Sequence, residues 1–193
     1  GNVSDLTTPK VYRRSECIVF YKTHAAFGGL SNMAAGFPLR VNSVSIATSE
    51  ALYQACRFPD RPDIQTIILT EPSPIAAKMK ARHFAPACRE DWETVRVPIM
   101  AWCLRVKLAQ HWTAFGNLLL LTHRLPIVEE SRHDPFWGAI RVDQDTLRGA
   151  NVLGQLLAAL RDRLYRQDAM ALLHAPPPGI ENFRMLGESI QGV

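Results

Sequence analysis

Long apolar runs are missing from this chain, and no stretch approaches the roughly 18 consecutive apolar residues a membrane helix needs. The opening residues, GNVSDLTTPK, do not follow the basic-then-apolar order of a secretory signal. Cysteine is sparse: Cys17, Cys56, Cys88 and Cys103 form no CxxC pair and no Cys/His cluster at zinc spacing. The six histidines include no HExxH. No metal and no cofactor are therefore expected, and a reduced, cytoplasmic compartment is the expectation. Three familiar motifs are missing as well. Without GxxxxGKS/T, or GxGxxG between a strand and a helix, nucleotide-kinase and Rossmann chemistry lack their key piece. Without GxSxG the commonest hydrolase elbow is gone. No basic run exceeds the pair Arg13-Arg14, which excludes a DNA-binding arm or tail.

What is present suits one soluble domain. The 193 residues are 47% hydrophobic and 21% charged, enough for a sizeable core. The net charge is +4, and of the 22 basic residues 17 are Arg and 5 are Lys. Arg grips phosphate bidentately and stacks on flat rings, so this surface fits a phosphate-rich ligand. The plain alternative is that Arg does the solubilising work of Lys.

The pattern along the chain predicts a short strand over 17–22, a Gly-rich turn at 27–32, and a hairpin over 37–47 turning at Asn42-Ser43. Thr48 or Ser49 caps a helix running to about Phe58, where Pro59 and Pro62 stop it. Short helices follow over 63–70 and 72–84, the second opening at Ser73-Pro74. Residues 91–121 read as helix, with Pro98 as a kink or a fresh start. Their stripe Leu104, Leu108, Trp112, Phe115, Leu119 keeps the spacing of a buried face. Residues 128–148 read as a polar loop, and a last helix begins near Asn151 with Leu153, Leu156, Leu157, Leu160 and Leu164 facing inward. The fold class is α+β: one predominantly helical domain with a small antiparallel sheet.

Four places hold polar residues that a core or a plain surface does not require. Glu50, Tyr53, Gln54 and Arg57 share one helix face at i, i+3, i+4 and i+7. The alternative is a solvated face, with Glu50 suiting the helix dipole. Lys107 shares its face with Cys103, Gln110 and Ala114 rather than with charges, so it meets phosphate, is desolvated into a nucleophile, or snorkels to water. In the loop 129–138, Asp134 before Pro135 is a candidate carboxylate that also reads as an N-cap. Gly154, inside a helix, points to close approach of a backbone or a ligand. Glu50 and Asp134 are the plausible carboxylate pair, and such a pair suits cleavage of a glycosidic bond through an oxocarbenium-like transition state.

With these residues in view the chain resembles the NADAR (YbiA-like) family. The resemblance rests on Phe27-Gly28-Gly29-Leu30-Ser31-Asn32, Ser49-Glu50-Ala51-Leu52-Tyr53-Gln54, Asp91-Trp92-Glu93 and Leu104-Arg105-Val106-Lys107. It continues through Ile127-Val128-Glu129, Asp134-Pro135-Phe136-Trp137-Gly138 and Gly149-Ala150-Asn151-Val152-Leu153-Gly154, in family order, over about residues 18–165. It implies an N-glycosidase acting on a ribosyl–nitrogen bond. The substrate classes it implies are ADP-ribose on the guanine amino group of nucleic acid, or phosphorylated ribosylamino intermediates of riboflavin synthesis. Residues 57–63, 76–80 and 178–188 resemble the branch encoded beside DarT-like DNA ADP-ribosyltransferase toxins, whose members act as antitoxins. Arg57 stands where many riboflavin-type relatives carry lysine, and Lys80 where they carry glycine.

The resemblance implies Glu50 and Asp134 as catalytic carboxylates and Lys107 as a third catalytic candidate. Trp92 and Trp137 would wall the ribose or base, Asn32 and Asn151 would bond hydroxyls or the diphosphate, and Arg57 and Lys78 would meet phosphate. Gly138 joins this substrate-binding set. The implied partners are ADP-ribosylated guanine in DNA, ADP-ribose and a cognate ADP-ribosyltransferase toxin, with no membrane. The implied organisation is an N-terminal extension over 1–15, the catalytic domain over 16–170 and a C-terminal tail over 171–193. The other class to set against an enzyme is a non-catalytic module that reads ADP-ribose.

Overall fold

A computed structural model describes residues 3–193, and the side chains of all but Val3 and Ser4 among them. In chain order the elements begin α1 Val3–Thr7, β1 Lys10–Arg13, β2 Ile18–Phe20, β3 Leu39–Val41, β4 Val44–Ile46, α2 Ser49–Ala55, α3 Pro62–Thr70 and α4 Pro74–His83. They continue α5 Trp92–Gln110, α6 Trp112–Leu120, β5 Ile127–Glu129, β6 Ile140–Arg141, β7 Thr146–Gly149, α7 Val152–Leu164, β8 Arg184–Met185 and β9 Glu188–Ser189. The fold class is α+β with helix dominant, as the pattern predicts. The chain forms two compact units: residues up to Ser31 with Thr113–Met170, and Asn32–Trp112 with Ala171–Val193.

The first unit holds the antiparallel sheet β1-β7-β6, with Lys10 opposite Gly149 and Ile140 opposite Arg148. Beside the antiparallel pairs the structure also has a parallel one, β2 with β5, registered Val19 to Val128. Val128, Ala139 and Leu147 form a buried cluster under Tyr12, Cys17 and Val19. β1 falls in the segment expected to be an extension, and β5, β6 and β7 fall in the expected polar loop. These strands are two to four residues long and pair with partners far along the chain, so local pattern does not reveal them. α7 closes the unit with Leu153, Leu157 and Leu160 buried; Leu156 and Leu164 are only partly so.

In the second unit local chemistry sets the elements. Asn42 and Ser43 both have positive φ (49° and 64°), the paired left-handed turn that joins β3 to β4. Thr48 Oγ1 accepts from Ala51 N at 3.2 Å and caps α2, which ends at Ala55, earlier than expected. Ser73 caps α4 in the same way. Pro98 neither ends nor restarts α5. It forfeits one backbone bond, while Val95, Ile99, Met100, Trp102 and Cys103 bury the helix around it. The break comes at His111, where β3 and the residue before it take over the helix end. Gln110 exchanges hydrogen bonds with Arg40 N and O (2.8 and 2.7 Å), and the His111 ring meets Pro38 O at 2.6 Å. The expected single stripe is therefore split between two helices.

Residues 171–193 are built into this second unit. Phe183 stacks edge-on against Trp102 (4.9 Å), Gln65 bonds Arg184 O and Leu186 N, and Asn182 bonds Asp60. No helix among the described residues is long and apolar enough to cross a membrane.

Candidate active site

α2 is short, and all seven of its residues are buried. The solvated-face alternative for Glu50, Tyr53, Gln54 and Arg57 is thereby overturned: Glu50 is 7% exposed, Tyr53 3% and Gln54 3%, and Arg57 is half-buried. α3, α4 and α5 pack around α2, which is why a polar face ends up inside. Glu50 N donates to Asn32 O at 3.1 Å, which ties the helix start to the loop before β3. Gln54 Nε2 donates to Glu50 Oε1 at 2.9 Å, an i, i+4 pair that orients the carboxylate.

Around Glu50 several buried polar atoms have no hydrogen-bond partner in the protein: Asn32 Oδ1, Ser49 Oγ, Gln54 Oε1 and Arg57 Nε. Buried polar atoms are normally paired, so this group beside a buried carboxylate is a candidate ligand site. Trp92 forms a wall here. Tyr53 lies 5.1 Å from its ring centroid and the Arg57 guanidinium 4.8 Å from it. Burial holds the Tyr53 phenol far above its ordinary range, so it stays protonated. Lys78 is half-buried on α4, which packs on α2 through Ala77 and Ala81.

Lys107 is 1% exposed on α5, and its Nζ sits 4.5 Å over the Phe37 ring. Burial pulls its pKa down to about 7, which answers the snorkelling alternative: this amine does not reach water. One turn earlier, the Cys103 thiol is buried beside Cys56 and is held well above its ordinary pKa by desolvation. Sequence reasoning missed Phe37, Ser49 and the Cys56–Cys103 pair. Phe37 is one apolar residue in an alternating segment, and nothing local marks it as the ring under a lysine.

The remaining candidates lie in the first unit. No helix opens at Pro135, contrary to the N-cap reading; instead Asp134 Oδ1 accepts from Phe136 N (2.8 Å) and Trp137 N (2.9 Å) and closes a turn, the local aspartate bond that turns favour. The carbonyls of Phe136 and Trp137 in turn accept from Val152 N and Leu153 N, so this loop covers the start of α7. Trp137 is partly buried, edge-on to Phe136 at 4.9 Å. A Cβ on Gly138 would lie 2.6 Å from Glu129 O, and one on Gly154 would lie 2.0 Å from Ile127 O. Both glycines are there for close backbone approach. Asn151 has φ 52°; its Oδ1 accepts from Glu129 N at 3.0 Å and its Nδ2 donates to Ile127 O at 2.8 Å. In this structure that side chain holds β5 to the start of α7. Glu50, Asn32, Arg57, Trp92, Lys78 and Lys107 thus belong to one unit, and Asp134, Trp137, Gly138 and Asn151 to the other. Among the described residues no three His, Cys, Asp or Glu side chains gather as a metal-binding group.

The NADAR domain matches residues 19–165. The chain belongs to this family. It is 35% identical over 150 residues to the N-glycosidase YbiA of Escherichia coli (strain K12), covering 76% of this chain and 88% of that protein. The riboflavin biosynthesis protein PYRR, chloroplastic, of Zea mays is 31% identical over 163 residues, covering 76% of this chain and 25% of that one. In structure, the chain is similar to the NMR structure of the E. coli protein YbiA, with a TM-score of 0.66 and 34% identity over 77% of this chain and 85% of that chain.

Proposed function

We propose that this chain is an N-glycosidase that releases ADP-ribose from guanine bases of DNA and so reverses the mark of an ADP-ribosyltransferase toxin. The observation that carries the reading is a buried, oriented carboxylate and a buried neutral-prone amine on packed helices, α2 and α5, in a family with relatives named N-glycosidase. Cleavage breaks the bond from the anomeric carbon to the guanine amino nitrogen. Glu50, held by Gln54 away from bulk water, offers negative charge to the oxocarbenium-like carbon, where it counts most. Water supplies the hydroxyl and the departing nitrogen gains a proton.

The Lys107 amine favours a covalent variant of this reaction. An N-ribosyl aminal opens to an imine; neutral Nζ adds at that carbon, the guanine amine leaves with a proton, and water hydrolyses the lysine Schiff base to free ADP-ribose and lysine. The resemblance also offers Asp134 as a carboxylate for this chemistry, through its Oδ2 oxygen, since Oδ1 is engaged by the loop.

Support for an ADP-ribosyl group comes from the wall of Trp92 with Arg57, a flat ring beside a guanidinium, which suits a base and a diphosphate. Two of the segments that resemble the toxin-associated branch, 57–63 and 178–188, are joined physically. Arg89 N donates to Arg57 O at 2.8 Å, and the Arg89 guanidinium holds the carbonyls of Glu181 and Asn182. The tail therefore braces the Arg57 wall. The names of the riboflavin-biosynthesis relatives favour a second reading, hydrolysis of phosphorylated ribosylamino intermediates. One experiment separates them: incubate the full chain with DNA ADP-ribosylated on guanine, and in parallel with those intermediates, and measure free ADP-ribose or ribose phosphate. Release of ADP-ribose supports the first reading; turnover of the ribosylamino intermediates alone replaces it.

A further inference from the structure

Apart from Lys78 at its edge, the exposed face of α4 has no part in the chemistry above. The helix buries Ala77 and Ala81 completely, so its opposite side faces outward. On that side Ile75 (62% exposed) and Met79 (63%) stand one turn apart, with Arg82 and His83 completing the stripe. Lys78 and Lys80 flank it on either edge. Residues 72–89 contain four Lys and Arg side chains and no acid. Of the four, Arg89 is paired with Asp91, as Arg61 is with Asp63 in the preceding segment. Among the described residues the side chains of Lys78, Lys80 and Arg82 have no hydrogen-bond or ion-pair partner. At the end of the helix the His83 and Phe84 rings lie 4.9 Å apart, nearly perpendicular.

We propose that this face of α4 is a docking surface for a strand of nucleic acid. Charge complementarity decides the occupant. Three unpaired cations with no acid among them match a phosphate backbone, and Lys78 and Arg82 are separated by about 6 Å of helix rise. A His–Phe ring pair beside cations is the stacking half of a single-strand platform. α4 packs directly on α2, so a strand lying here passes alongside the helix that carries Glu50. The proposal rests on the reading above in one respect: the modified guanine is presented on a polynucleotide.

The test uses the full chain, an unmodified fluorescein-labelled single-stranded oligodeoxynucleotide, and the double variant Lys80→Gln with Arg82→Gln, both substitutions compatible with a helix. Lys78 is left intact because it belongs to the proposed substrate site. Wild type should bind the oligonucleotide by anisotropy at about 50 mM salt, and the variant should bind at least about tenfold more weakly, uniformly across sequences. The slope of log affinity against log salt should fall by about 1.4, at roughly 0.7 for each phosphate that is no longer neutralised. Unchanged affinity and slope in a variant of wild-type circular dichroism overturn the proposal. So does tight binding of wild type to phosphatidylglycerol vesicles or an acidic peptide with none to the oligonucleotide. The probe carries no ADP-ribose, so the two readings fail separately. If modified DNA is cleaved by the variant at wild-type kcat/KM, docking fails and the enzyme reading stands. If wild type releases nothing but oligonucleotide affinity drops in the variant, docking stands alone.

Discussion

Asn32 and Asn151 are both buried asparagines, 4% and 1% exposed, and the fold uses them in opposite ways. Asn151 spends its carbonyl on Glu129 N and its amide on Ile127 O, and it takes the left-handed backbone that asparagine tolerates. Asn32 donates to Met100 Sδ, a weak acceptor, and its Oδ1 has no partner in the protein. The contrast extends to their surroundings. In the Asp134–Gly138 loop polar groups are consumed by backbone, and the glycines are fixed by close carbonyls. Around Glu50 they are held in place yet left idle. A polar group that holds the chain is architecture; buried polar atoms left without a protein partner are candidates for a ligand. Asn32 Oδ1, Ser49 Oγ, Gln54 Oε1 and Arg57 Nε are such atoms.

The sharpest way to break this contrast is Glu50→Gln. The amide fills the same volume, so unfolding should shift little, while turnover of the proposed substrate should fall by about 10²–10⁴-fold. A near-normal rate in a folded variant removes Glu50 from the chemistry. Next in size is Lys107. Its folded pKa of about 7 lies below the unfolded value, so the unfolded chain binds more protons between these limits and stability rises with pH across that window. Lys107→Met should stabilise the protein at pH 7 by on the order of 3–5 kcal/mol, with the gap closing toward pH 10. Denaturant midpoints at the two pH values check this. Activity supplies the other half: Lys107→Arg keeps the charge but should be inactive, and borohydride during turnover should trap a sugar on Lys107 in the wild type. A rate retained in Lys107→Arg, with no adduct, refutes the covalent route.

The two asparagines supply a direct comparison. Asn151→Ala leaves Glu129 N and Ile127 O without partners and puts alanine at positive φ, so it should cost about 2–4 kcal/mol of stability. Asn32→Ala should cost less than about 1 kcal/mol, since it removes only a bond to sulfur, and should weaken ADP-ribose binding instead. Equal drops in stability would erase the distinction. Thermal shifts with and without ADP-ribose measure both quantities.

Legibility in the sequence follows the range of the forces involved. The Asn42-Ser43 turn and the caps at Thr48 and Ser73 are set within a few residues, and each is where its local chemistry puts it. β1 pairs with a strand that ends at Gly149, and nothing in the segment Lys10–Arg13 carries that information. The end of α5 depends on Gln110 and His111 meeting the segment Pro38–Arg40, so the visible breaker, Pro98, is the wrong place to look for it. Within the site, i, i+4 spacing puts Glu50 and Gln54 on one face, but whether that face is wet or dry depends on three helices packing over it. Lys107 is legible because a lone lysine among apolar neighbours on a helix face has few ways to stay hydrated. The motif around Asn151 suggests a ligand group; its positive φ and its grip on β5 are properties of the folded backbone alone.

Asp134 carries the smallest expected effect and stands on both sides of the contrast. Its Oδ1 oxygen closes the turn through Phe136 N and Trp137 N, a task Asn performs as well as Asp. Asp134→Ala removes these bonds and should cost about 1 kcal/mol of stability. Asp134→Asn should preserve stability, since the amide oxygen accepts the same two bonds. Its rate then isolates the second oxygen. If the Asp134 carboxylate takes part in turnover, the folded Asn variant loses activity with Tm unchanged. If the residue only closes the turn, the Asn variant keeps its rate, and the Ala variant loses activity only as far as it unfolds. Measuring Tm and kcat/KM on the same preparations of both variants decides between an aspartate that builds the loop and one that also acts from it.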